Sequence, residues 1–198
     1  MTSSELGGKP VKESTGGTRE RIKTVALELF TEHGYEKTSL REIAERLNVT
    51  KAALYYHFKS KDEIVSSFVH DRLDRMDALI AWAEGQPATL ATRQELIARY
   101  ADTMFATEEY SVMRFFEQNQ TVLKSLTAGQ RMRDRMMRLA QALARGDDSP
   151  GAQLRAVVAL FAVHSSWFAI RGPQVTDAER RKLALEVADE LLARIGEG

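Results

Sequence analysis

Cysteine is absent from this chain of 198 residues. That single absence removes disulfides, thiolate metal sites and cysteine nucleophiles together, and it suits a reducing compartment. No apolar run approaches the roughly 20 residues a membrane-spanning helix needs, and the first residues lack a signal-peptide core. The expectation is a soluble, cytoplasmic protein with no membrane partner. A strand pattern is missing as well, because apolar and polar residues do not alternate over a strand's length anywhere. There is no glycine-rich phosphate loop and no GxSxG nucleophile elbow. The four histidines, His33, His57, His70 and His164, are scattered without metal-ligand spacing, and no acid is placed to complete a triad with His164, Ser165 and Ser166. These gaps point away from an enzyme and call for no cofactor or metal.

Net charge is lacking too, since 28 basic residues balance 28 acidic ones. The distribution is less even. Residues 1–61 hold 11 Lys and Arg against 8 Asp and Glu, whereas residues 62–198 hold 17 against 20. A modest basic excess at one end can steer that end toward phosphates. The hydrophobic fraction of 43% is enough to bury a substantial core in one domain or two small ones. Residues 1–17, rich in Gly, Ser, Thr and Lys, have too few apolar groups to offset ordering entropy and read as a flexible tail.

From Thr18 the pattern turns helical. Ile22, Val25, Ala26, Leu29 and Phe30 recur at helical spacing, and Gly34 supplies the C-terminal stop. Residues 39–61 then read as two short helices joined by a tight turn. Ser39 and Glu42 form a capping box, and Leu40, Ile43, Ala44 and Leu47 make one apolar face. Asn48 tolerates the left-handed turn conformation, and Val49 plugs the angle. Thr50 caps a second helix in which Ala53, Leu54 and Phe58 point inward. Lys51, Ala52, Tyr55, Tyr56 and Lys59 are left for the outer face or the end. Small, basic and aromatic groups on one face let a helix approach the major groove closely and grip phosphates at its edges.

Phe30, Gly34, Tyr35, Thr38, Ser39, Ile43, Ala44, Val49, Leu54, Tyr55, Phe58, Lys59, Lys61 and Glu63 resemble, in order and spacing, the N-terminal signature of the TetR family of bacterial transcriptional regulators. The resemblance covers about residues 18–68 and no further. It implies a helix-turn-helix DNA-binding domain over 18–61 and a ligand-binding and dimerisation domain over 62–198. It further implies a homodimer joined through the two C-terminal helices, a double-stranded inverted-repeat operator and a repressor released by a small-molecule effector. Carried over position by position, Thr50, Lys51, Ala52 and Tyr56 match groove contacts. Arg41, Tyr55, His57, Lys59 and Lys61 match positions that hold backbone phosphates. Ala52 stands where many relatives carry glycine, which puts the closeness of backbone approach in doubt. An activator stays open, as does a helical interaction module that keeps the hairpin without binding DNA; retention on DNA at low salt separates the latter.

The remainder is expected to be all-α. Ser60 and Glu63 offer a capping box for a helix running to about residue 85, after which 86–91, with Pro87, form a loop. Helical stretches follow near 92–106, 110–126 and 128–144. Ser149 and Pro150 start a helix reaching about Ile170, ended by Gly172 and Pro173, and Thr176 with Glu179 caps the last one. Residues 153–170 are apolar around more than one face, so that helix must be covered on several sides, within the chain or by a second copy. The middle of the chain is rich in methionine and aromatic groups. Trp82, Tyr100, Met104, Phe105, Met113, Phe116, Met136 and Trp167, with Gln118, Asn119 or His164 as polar handles, are candidates to line an effector pocket. Plain core packing is the competing reading of the same stripe, and for His164 a satisfied core or interface histidine.

Overall fold

The computed structural model describes residues 17–106, 111–112, 115–116, 119, 128–170 and 174–196. The expected tail up to residue 16, most of the expected helix over 110–126 and the stop at 172–173 lie outside them. Eight helices can be bounded among the described residues, and no strand occurs there, so the fold is all-α. Contacts group the chain into two compact units, Met1–Ser60 and Lys61–Gly198.

The first unit holds α1 (Thr18–His33), α2 (Leu40–Leu47) and α3 (Lys51–His57). Their buried side chains are those with helical spacing in the sequence: Ile22, Ala26, Leu29 and Phe30 on α1, Ile43 and Ala44 on α2, and Leu54 on α3. Gly34 ends α1 at φ 87°, a region open to glycine at little cost. Asn48 ends α2 in the left-handed conformation at φ 55°, and its N–H closes on the carbonyls of Ala44 and Glu45. The Thr50 side chain accepts from the Ala53 amide and starts α3.

Two expectations for this unit are corrected. The Ser39 hydroxyl does accept from the Glu42 amide, but the Glu42 carboxylate does not return to Ser39. It sits 2.6 Å from His33 Nδ1, a side-chain partner at the end of α1 that takes the place of the local backbone. Ala53 is exposed, because the buried arc of a seven-residue helix is narrow and is filled by Leu54, with Phe58 buried just beyond its end.

The second unit holds α4 (Lys61–Glu84), α5 (Leu90–Phe105), α6 (Ala128–Ala144), α7 (Pro150–Ala169) and α8 (Asp177–Ala193). Here α5 starts at Leu90, two positions before the expected Thr92, because the Thr89 side chain accepts from the Thr92 amide and caps it. Ser149 caps α7 with Pro150 in its first turn, and Thr176 with Glu179 forms a complete capping box on α8. The core is built from Met76, Ile80, Leu96, Ile97, Leu139, Leu143, Leu160, Val163 and Leu192, with small Ala156, Ala159 and Ala188 letting α7 and α8 pack closely.

The inner face of α7 is made largely of alanine. The large residues that made this helix look apolar all round, Leu154, Val157, Val158, Phe161 and Phe168, face outward, Leu154 at 64% and Phe161 at 58% exposure. Leu183 and Val187 on α8 are exposed beside them. The covering expected for this face does not come from within the described residues. No helix of the described residues is long and apolar enough to cross a membrane.

Candidate nucleic-acid interface and effector site

The exposed face of α3 is small at one point and aromatic and basic around it. Lys51, Ala52, Tyr55 and Tyr56 are exposed, Tyr56 at 80%, while Leu54 and Phe58 anchor the opposite side at full burial. The Lys51 ammonium lies 5.5 Å from the centre of the Tyr55 ring, within cation–π range. His57 is half-buried, and its ring meets Tyr56 edge-on at 5.2 Å. Lys59 is exposed just beyond α3 and donates to the Tyr55 carbonyl, capping the helix end with positive charge. Arg41 is exposed on α2 and paired with Glu45 at 2.7 Å, which raises the guanidinium pKa. Thr50 lies at the N-cap, and Lys61 is half-buried at the first residue of α4.

One positioning residue was not singled out in the sequence. Arg19 on α1 donates to the His57 carbonyl at 3.1 Å, and its guanidinium lies 4.1 Å over the Phe58 ring. It ties the end of α3 to the start of α1. No local signal marks it, because its partners stand 38 and 39 residues on in the chain.

In the second unit, Tyr100 of α5 and His164 of α7 are hydrogen-bonded through the hydroxyl and Nε2. The Tyr100 hydroxyl also lies 3.4 Å from Met136 Sδ of α6. About one turn further along, Phe105 and Trp167 stack at 4.8 Å. Met104 is buried, and its sulfur accepts from Arg72 of α4 at 2.9 Å. Burial, and then the Arg72 charge, push His164 down to about 4, so its ring is neutral at physiological pH. Tyr100, Met104, Phe105, Met136, His164 and Trp167 thus gather in one region of the core. Trp82 packs against the same core, its ring covered by the Arg99 guanidinium at 4.1 Å. Phe116 contacts Phe115 at 5.5 Å, and the Asn119 amide donates to the Phe115 carbonyl. Met113 and Gln118 lie outside the described residues.

A capped short helix, a left-handed turn and a second helix with an exposed basic and aromatic face, braced by a third, define a helix-turn-helix module. In that class the second helix enters the DNA major groove. Residues 22–68 match the family described as "Bacterial regulatory proteins, tetR family". The chain is 43% identical over 58 residues to the HTH-type transcriptional regulator AcrR of Shigella flexneri, which is 29% of this chain and 27% of that protein. It is 40% identical over 62 residues to the biofilm operon icaADBC HTH-type negative transcriptional regulator IcaR of Staphylococcus aureus, 31% of this chain and 33% of that one. The matched stretch therefore spans a third or less of these relatives. Over the whole fold, the TetR family transcriptional regulator PfmR of Thermus thermophilus superposes with a TM-score of 0.62 at 29% identity, covering 90% of this chain and 98% of that one. Residues 22–68 thus match the N-terminal domain of the TetR family, and the fold of the whole chain is similar to that of a TetR family regulator.

Proposed function

We propose that this chain is a homodimeric repressor that binds an inverted-repeat operator through α3 and releases it when a small molecule enters the helical unit. The observation that carries the reading is the exposed face of α3, where Lys51, Tyr55 and Tyr56 surround the small Ala52. Thr50, Lys51, Ala52 and Tyr56 would touch bases, and Arg41, Tyr55, His57, Lys59 and Lys61 would hold phosphates and set register. Repression is the direction favoured by the likeness to IcaR, itself a negative regulator. The outward apolar residues of α7 and α8 support a second copy as partner, since an apolar patch of this kind marks an interaction surface. The effector would occupy the region around Tyr100 and His164.

Selection of bound duplexes from a randomised pool by the purified protein tests the reading. The expected result is an inverted repeat whose half-sites lie about 34–36 Å apart, one helical turn. A protein that retains no DNA even at low salt would reject it.

A further inference from the structure

Arg19, in the first turn of α1, has more donors than the fold uses. Its guanidinium gives an N–H to the His57 carbonyl at 3.1 Å and lies 4.1 Å over the Phe58 ring. A guanidinium carries several N–H donors in a planar fork, so one carbonyl leaves most of them open. Among the described residues no carboxylate pairs with it, and its chain neighbour Glu20 sits 2.7 Å from Lys23 instead. Arg19 is exposed, and a single exposed bond to a carbonyl contributes only modestly to stability.

The two contacts fix the place of the charge. The face of Phe58, a fully buried side chain, sets the plane of the guanidinium, and the His57 carbonyl sets its edge. A long side chain is thereby held beside the last turn of α3 with its remaining donors toward solvent. Lys59 lies at the same end of the helix, donating to the Tyr55 carbonyl. A cation that is already ordered loses less entropy when it grips an anion. The planar fork also matches two oxygens of one phosphate.

We propose that Arg19 holds a DNA backbone phosphate at the C-terminal end of α3, beside those assigned to His57 and Lys59. This rests on the operator-binding reading given above and adds to it a contact from α1, outside the hairpin.

The test is fluorescence anisotropy of a labelled duplex of mixed sequence, titrated with the full chain across about 50–200 mM salt. Such a duplex reports phosphate contacts without a known operator. Arg19→Met keeps an apolar chain over Phe58 and removes the charge. Its slope of log K against log salt should flatten by about 0.9, and binding near 0.1 M salt should weaken roughly eightfold. Arg19→Lys should keep the slope of the unaltered chain. Arg21→Met should keep it too, since Arg21 is exposed on α1 but turned about 200° from Arg19. Arg19→Gln is a second neutral variant, read in the same way where Arg19→Met fails to fold.

An unchanged slope in the neutral variants, even with weaker binding, would leave Arg19 only positioning α3. A loss as large in Arg19→Lys would trace the effect to the fork on His57, and one as large in Arg21→Met to net charge. Each of these results overturns the proposal. If the unaltered chain holds no duplex at low salt, the DNA-binding reading itself fails and takes this contact with it.

Discussion

If α3 enters a major groove as proposed, Lys51, in its first turn with its ammonium beside the Tyr55 ring, is the side chain expected to read a base. Lys51→Ala is expected to relax preference at one position of each half-site, by about 1–3 kcal/mol of discrimination, with little change in non-specific binding. An identical selected site would remove Lys51 from base reading. His164 makes a different prediction. Folded, it takes its proton only near 4, against an ordinary value of 6.5 in the unfolded chain. Between those values the unfolded state holds more protons, so stability is complete above about 6.5 and falls as pH drops toward 4. The loss can reach about 3 kcal/mol. Urea midpoints measured across this window should decline in the native chain and lose most of that slope in His164→Gln; parallel slopes would count against a buried neutral imidazole.

Arginines tie the ends of several helices of the second unit to backbone carbonyls. Arg93 in the first turn of α5 is buried, and its Nε donates to the Leu143 carbonyl at 3.0 Å, while its two terminal nitrogens reach Arg145 at 3.1 Å and Ile195 at 3.4 Å. These carbonyls belong to the ends of α6 and α8, where the negative pole of each helix stabilises a cation. Arg145 does likewise for the end of α4, donating to the Glu84 carbonyl at 2.8 Å and to Gln86. Arg93→Met leaves three carbonyl acceptors without this donor, two of them buried, and is expected to cost about 3 kcal/mol, read as a lower urea midpoint with an unchanged slope. Arg93→Lys, which keeps charge but loses the planar fork, should fall between the two.

Caps and stops could be read directly from the chain because each joins residues two to four apart: Ser39, Asn48, Thr50, Ser149 and Thr176 act where their sequence neighbours say they should. Arg93 and Arg19 could not, since their partners lie 50 and 102 residues away in one case and 38 in the other. Glu42 departs from its local pattern for the same reason, because its partner His33 stands nine residues away.

For the assembled protein, the outward faces of α7 and α8 carry the strongest expectation. Phe161 and Phe168 contact each other at 6.3 Å on the exposed side of α7, with Leu183 and Val187 exposed on α8. Burying these against a second copy would stabilise a dimer by roughly 1.5–3 kcal/mol per large side chain. Phe161→Glu is expected to yield monomers in sedimentation experiments and to weaken operator binding, because two half-sites no longer bind as one unit. A variant that stays dimeric would exclude this face. If a ligand acts on such a dimer, it must bind the DNA-incompetent arrangement more tightly than the competent one.

Periodicity and capping sufficed for the helical class of the fold, the bracing of the hairpin and the outer residues of α3, because all of these depend on side chains within a turn or two of each other. The direction in which α7 turns its two apolar faces, the neutrality of His164, the closeness of Arg72 to Met104 and the carbonyl clasp of Arg93 follow from packing between helices far apart in the chain. Long-range burial and fields decide these, and a local pattern holds no record of them.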